Sequence, residues 1–144
     1  MRDGRQEWRL DKALEGLGAR AAGHWALQGN SLVQRDFRAA SDMPEEIARA
    51  FAEATRVVPL DRLELGIVRA AAEGLTAVSV ASELDPAAGS GYWLRAFGAD
   101  RSIAVPRFDA SGRVSGVSSV AMIGGNPDAE TLRSILGAID RDQG

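Results

Sequence analysis

Two β-rich runs, RSIAVPRF and RVSGVSSVAMI, stand on either side of Asp109-Ala110-Ser111-Gly112. This pairing constrains the fold more than any other feature of the chain. Each run is long enough for a full strand, and the connection between them opens on Asp and ends on a Gly suited to positive φ. An antiparallel hairpin follows, and the remaining residues must supply its neighbours and its cover.

A second hairpin is expected in HWALQGNSLVQRDF, where Gln28-Gly29-Asn30-Ser31 forms the turn. Beyond it, Leu32, Gln34 and Asp36 alternate with Val33, Arg35 and Phe37, which puts the two sets on opposite faces. LTAVSVAS, positions 75 to 82, reads as a further strand, and ELDPAAGSG after it as a surface loop.

Helical spacing predicts four helices. Leu10, Leu14, Leu17 and Ala21 share one face of a helix over 7 to 22, with Gly23 as its end. Asp42 and Glu45 mark the start of a second helix over about 43 to 55, with Pro44 in its first turn and Ile47, Phe51 and Ala54 on its buried side. Asp61 and Glu64 repeat that start signal ahead of a stripe of Leu63, Ile67, Ala70 and Ala71, closed by Gly74. Asn126 and Pro127 open the last helix, whose stripe is Leu132, Ile135, Leu136 and Ile139. The order gives an α+β fold with a mainly antiparallel sheet of about five strands, terminal helices on one face and short helices and loops on the other. A single domain over 1–144 is expected, with 1–6 and 142–144 frayed.

Composition removes several function classes. Seventeen basic against 20 acidic residues, a net charge of -3, leave no broad positive surface for nucleic acid. With no cysteine, thiolate nucleophiles, disulfides and iron–sulfur ligation are excluded. No apolar run approaches the roughly 20 residues that span a bilayer, and the first residues lack a signal-peptide core, so a cytoplasmic location without membrane contact is expected.

The segments LELGIVRAAAEGLTAVSV and GSGYWLRAFGADRSIAVPRFDASGRVSGVSSVAM resemble the second half of a GAF domain. The resemblance is carried by Ser102, Ile103, Ala104, Val105 and Pro106, followed by Gly112, Arg113, Val114, Ser115, Gly116 and Val117. Element order follows it over about 8 to 142, and residues match over 65 to 120. It implies a sensory or regulatory module that binds a small molecule over the sheet, or one that dimerises through its terminal helices and signals through a separate protein. A cysteine-linked bilin is excluded as cofactor, and thiol-based sulfoxide reduction does not fit a chain without cysteine. The Asn-Lys-Phe-Asp-Glu arrangement associated with cyclic-nucleotide members is also missing. In the hairpin, Pro106 prefers an edge or bulge, and Gly116 is read as a point where a helix or ligand comes close to the sheet.

The candidate ligand-binding residues are Tyr92, Trp93, Arg95, Phe97, Arg101 and Ser102. Three aromatic rings offer stacking surface and two arginines offer charged donors, the ingredients of a mixed pocket. Trp93 and Phe97 are also four apart, as on a short helix packing into a core, so pocket and core readings both stay open. The terminal-helix stripes leave a similar choice between a homodimer interface and plain cover for the sheet. No catalytic residues are assigned. His24 is the only histidine, which rules out a histidine metal cluster, and its distance in sequence from GSG at 89 to 91 and SGVSS at 115 to 119 argues against a Ser-His-Asp set. On that ground the chain is expected not to be an enzyme, and no metal site is expected. The rival reading is a structural or protein-interaction module with no ligand.

Overall fold

The computed structural model describes residues 15, 16 and 18–124. The predicted stripes at Leu10, Leu14 and Leu17 and at Leu132 to Ile139 lie outside these residues.

The sheet has six strands, all antiparallel. In chain order they are β1 (Ala19–Gln28), β2 (Ser31–Ala39), β3 (Val57–Pro59), β4 (Ala77–Val80), β5 (Arg101–Phe108) and β6 (Val114–Met122). Across the sheet the order is β3-β2-β1-β6-β5-β4. Helices α1 (Glu45–Ala54), α2 (Gly66–Glu73) and α3 (Gly89–Phe97) come between them. The α+β class with an antiparallel sheet stands, with one strand more than expected. Both sheet edges are short, three residues in β3 and four in β4, which limits the open backbone available for stray pairing.

Both hairpins form where the turn residues place them. Gly29 has φ 62 and no non-glycine residue among the described residues has positive φ, as a two-residue type II′ turn requires. In the second turn Gly112 has φ 85, while Asp109 Oδ1 accepts the N–H groups of Ser111 at 2.9 Å and Arg113 at 3.1 Å. Pro106 lies past the end of the β4 pairing, which covers only Arg101 to Ala104 of β5, so its missing N–H breaks no ladder on that side.

Several boundaries differ from expectation, for physical reasons. The first predicted helix does not run to residue 22: Gly18 at φ 85 turns the chain and Ala19 begins β1. Ala21 is then a strand residue between Ala39 and Ala121. Pairing on both sides outweighs the helix propensity of an alanine-rich run. Asp42 caps no helix, because Arg20 Nη1 donates to it at 2.5 Å; α1 starts behind Pro44 with no side-chain cap. Its buried residues are Ala48, Phe51 and Ala52, and Ala54 is exposed. Asp61 to Glu64 form turns, so Leu63 stays outside, 55% exposed, and α2 begins at Gly66. Gly74 closes α2 in the left-handed conformation, as expected.

Strand β2 carries a bulge. His24 pairs with Asp36 and Trp25 with Gln34, leaving Arg35 without a partner on β1. Leu32 and Phe37, an odd number of residues apart, therefore enter the same core cluster, which strict alternation forbids.

The main core lies between the sheet and the three helices. It joins Ala21, Trp25, Leu32, Phe37, Ala104, Val117 and Ala121 of the sheet to Phe51, Val68, Leu94 and Phe97 of the helices. Each fully buried aliphatic here, such as Leu32, Val68, Leu94 and Val117, contributes about 1.5–3 kcal/mol relative to exposure. A second buried cluster, Ala19, Ala22, Ala40, Ile103, Val120 and Met122, occupies the opposite sheet face.

Candidate functional site

A cavity of about 50 Å3 lies within the main core, between the sheet and the three helices. A single water needs about 10–15 Å3, so the space accepts a group of a few non-hydrogen atoms. Its floor is made of small residues: Ala21 and Gly23 of β1, Ser119 and Ala121 of β6, and Ser102 of β5. Its walls are Trp25, Phe37, Phe51, Trp93 and Phe97, with Leu65, Ile67 and Leu94.

The aromatic walls are locked together. Phe51 sits 5.0 Å from Phe37, 5.0 Å from Phe97 and 5.1 Å from Trp93, the last two edge-to-face. Trp25 is 1% exposed, and its indole N–H donates to the Thr55 carbonyl at 2.8 Å. The ring lies over Gly23, where a Cβ would come within 2.5 Å of it. Glycine at 23 thus makes room for the tryptophan that closes one side of the cavity.

Two helix beginnings meet at another side. Ser90 N–H donates to the Glu64 carbonyl at 3.0 Å, and Gly66 N–H donates to Ser90 Oγ at 2.9 Å. Gly89, at φ 58, and Gly91 let the backbone pass against Glu64 and Asp85, where any Cβ would collide. The GSG segment, expected in a loop, is the first turn of α3 and clamps α3 onto α2. One turn beyond Gly66, Arg69 Nη2 donates to Ser79 Oγ at 2.6 Å.

The six predicted residues divide by geometry. Trp93, Phe97 and Ser102 line the cavity. Tyr92, 45% exposed, packs edge-on against Trp93 at 4.9 Å instead. Arg95 Nη2 donates to the Ala81 carbonyl at 2.9 Å and ties α3 to the end of β4. Arg101 Nε lies 3.5 Å from Asp100 Oδ1, on the opposite face of β5 from Ser102. Arg95, Arg101 and Tyr92 are therefore not among the lining residues. Trp25, Phe37, Phe51, Ser90 and Ser119 line it without having been singled out. Gly116, read as a point of close approach for a helix or ligand, instead admits a neighbouring strand: a Cβ there would strike the Trp25 carbonyl of β1.

Distance in sequence was a poor guide to His24. The sheet aligns Asp36, His24 and Ser118 across β2, β1 and β6, with His24 Nδ1 3.2 Å from Ser118 Oγ. This row lies on the sheet face away from the cavity. Ser118 is 2% exposed, and Asp36 Oδ2 accepts from Arg38 Nε at 3.0 Å. Burial, then the charges of Arg107 and Arg35, hold the imidazole below its ordinary pKa; a backbone hydrogen bond with Val117 and the Asp36 charge oppose them. Among the described residues no group of three His, Cys, Asp or Glu side chains could hold a metal ion. No described helix is long and apolar enough to cross a membrane.

No family model matches the sequence, and no curated protein matches it. Solved structures do match. A putative GAF sensor protein from Burkholderia vietnamiensis is 20% identical, with TM-score 0.53 over 87% of this chain and 68% of that one. The chain has a GAF-like fold. Residues 122 to 287 of a methyl-accepting chemotaxis protein align with the GAF-like chain at TM-score 0.57 and 17% identity, over 90% of it and 79% of theirs. The free methionine-R-sulfoxide reductase of Staphylococcus aureus, in reduced form, aligns at TM-score 0.54 and 21% identity, over 88% of this chain and 73% of that one.

These reductases correct one expectation. The GAF-like chain was expected not to be an enzyme, yet the same fold is an enzyme's fold in structures of such reductases from several organisms.

Proposed function

We propose that this chain is a sensory or regulatory domain that binds a small molecule between the sheet and α1, α2 and α3. The observation that supports this reading is the cavity itself. Five aromatic rings meet there over a floor of Ala, Gly and Ser, and space remains where interiors are otherwise filled to crystal-like density. An apolar wall with a few placed polar groups is the usual composition of a small-molecule site.

The structural neighbours that are free methionine-R-sulfoxide reductases make free methionine-R-sulfoxide one compound to test for binding. The 144 residues contain no cysteine, so they offer no thiol for reducing it.

Thermal-shift titration of the protein against nucleotides, amino acids, methionine-R-sulfoxide and small organic acids tests the proposal. A ligand at 100 times its Kd adds about 2.7 kcal/mol of stability. Ala121→Met, which pushes a longer side chain into the floor, is expected to abolish the response while the fold survives. No response across the panel, together with a more stable Ala121→Met protein, would show the cavity to be a packing gap in an interaction module.

A further inference from the structure

The floor of the cavity carries two hydroxyls that the protein itself leaves unbonded. On β5, Ala104 belongs to the main core and Ile103 to the opposite face, so alternation turns the Ser102 side chain towards the cavity it lines. On β6, Ser119 stands between Val117 and Ala121 of the main core and faces the same space. Ser102 pairs with Ala121 and Ser119 with Ala104, which makes the two serines diagonal neighbours on one ladder. Ala104, Val117 and Ala121 are buried on this face, whereas both serines keep accessible surface. Neither hydroxyl has a hydrogen-bond partner among the described residues. By contrast, Ser90 Oγ accepts from the Gly66 N–H, and the Trp25 N–H is taken by the Thr55 carbonyl.

The lining also decides which charge an occupant can carry. No Asp, Glu, Lys, Arg or His is among the lining residues. An ion enclosed there would lose its hydration with no opposite charge to replace it. A cation would have to rely on ring faces, but Phe51 packs edge-to-face with Trp93 at 5.1 Å and with Phe97 at 5.0 Å, which spends ring face on ring edge. A wholly apolar occupant would displace water from Ser102 and Ser119 and leave both hydroxyls unpaired, which is costly in an interior. A serine hydroxyl both donates and accepts, so either a carbonyl or a hydroxyl oxygen satisfies it.

We propose that the group held in the cavity is uncharged: a compact apolar body carrying one ketone or alcohol oxygen, which is bound by Ser102 and Ser119. Its apolar part packs against the aromatic walls at Trp93 and Phe97. The inference rests on the cavity being a ligand site. The cavity volume of about 50 Å3 limits the enclosed group to a few non-hydrogen atoms, the size of acetone or 2-propanol.

The test titrates the whole chain, at constant ionic strength, with acetone, 2-propanol, isobutene, acetate and tetramethylammonium. The first four share a branched skeleton of one size: isobutene removes the oxygen and acetate adds a negative charge, while tetramethylammonium supplies a compact cation. Probes this small bind weakly, so binding is read from backbone amide chemical shifts, and those of Gly23 and Ala121 locate it. Acetone and 2-propanol are expected to half-saturate at concentrations at least tenfold below those of acetate and tetramethylammonium, and at least threefold below that of isobutene. Ser102→Ala and Ser119→Ala are each expected to weaken acetone binding at least threefold and to leave isobutene binding unchanged. Near-UV circular dichroism checks that each variant folds, and the ranking of probes on the parent protein needs no variant. Acetate or tetramethylammonium binding as tightly as acetone overturns the uncharged site. Isobutene binding as tightly as acetone, or both folded variants binding acetone like the parent, overturns the part given to the hydroxyls. Each of these results leaves the cavity reading standing, whereas silence from every probe in the folded parent overturns both.

Discussion

The two faces of the central strands do different work with neighbouring residues of the same chain. On β1, Ala21, Gly23 and Trp25 face the cavity, while Ala22 and His24 face the other way. On β6, Ser119 and Ala121 face the cavity, while Ser118, Val120 and Met122 face away. The cavity face sets small floor residues against large aromatic rings carried by α1 and α3, and rings of fixed shape leave space between them. The opposite face sets small and medium aliphatics together, with polar side chains such as His24, Ser118 and Asp36 beside them. Open volume therefore arises from the pairing of small with rigid, and not from a shortage of apolar side chains.

The largest break in this contrast is Trp25→Ala. It removes a ring 1% exposed, its hydrogen bond to Thr55 and one cavity wall. A loss of about 3–5 kcal/mol is expected in urea unfolding. Val120→Ala, its counterpart on the opposite face at 0% exposure, is expected to cost about 1.5–3 kcal/mol in the same measurement and to leave ligand binding unchanged. Gly23→Ala sharpens the contrast from the floor, because the new methyl meets the Trp25 ring. Overpacking of about 1–3 kcal/mol is expected, together with altered tryptophan fluorescence as the ring shifts.

A smaller effect belongs to the opposite face alone. The folded state holds His24 below its ordinary pKa, so the unfolded chain binds more protons as pH drops through the ordinary imidazole range. The stability from neutral His24 is fully present above about pH 6.5 and is lost as pH falls towards the lower folded value. Melting temperatures across that range should show this component, and His24→Gln should remove it. If His24→Gln keeps the full pH slope, the imidazole is not its source. Smallest of all, Tyr92→Ala at an exposed position is expected to change stability by no more than about 0.5 kcal/mol.

Much of the sheet was legible because turn chemistry is local. Asp109 to Gly112 and Gln28 to Ser31 specify their hairpins within four residues each. Strand β3 was not, since three residues ending in proline hold a strand only by pairing with Leu32 and its neighbours, a contact absent from local sequence. In the site, the spacing of Trp93 and Phe97 put them on one helix face, and Tyr92 and Arg95 fall off that face. Strand alternation allowed only one of Arg101 and Ser102 to face the cavity. Arg69 and Ser79 gave no signal, because their meeting depends on α2 lying across β4. Ser90 stood in plain view within GSG, but its role came from the backbone it touches and not from the reactivity of its hydroxyl.

The bulge at Arg35 gives β2 one residue more than its pairing with β1 uses. The strand keeps time in two phases, one set by Leu32 and Gln34 and the other by Phe37, and residue 35 is the extra beat between them. Replacing Arg35 changes a solvent-facing side chain. Deleting it would close the bulge: Gln34 and Asp36 would become neighbours opposite Trp25 and His24, and Leu32, Gln34 and Phe37 would fall into one unbroken alternation.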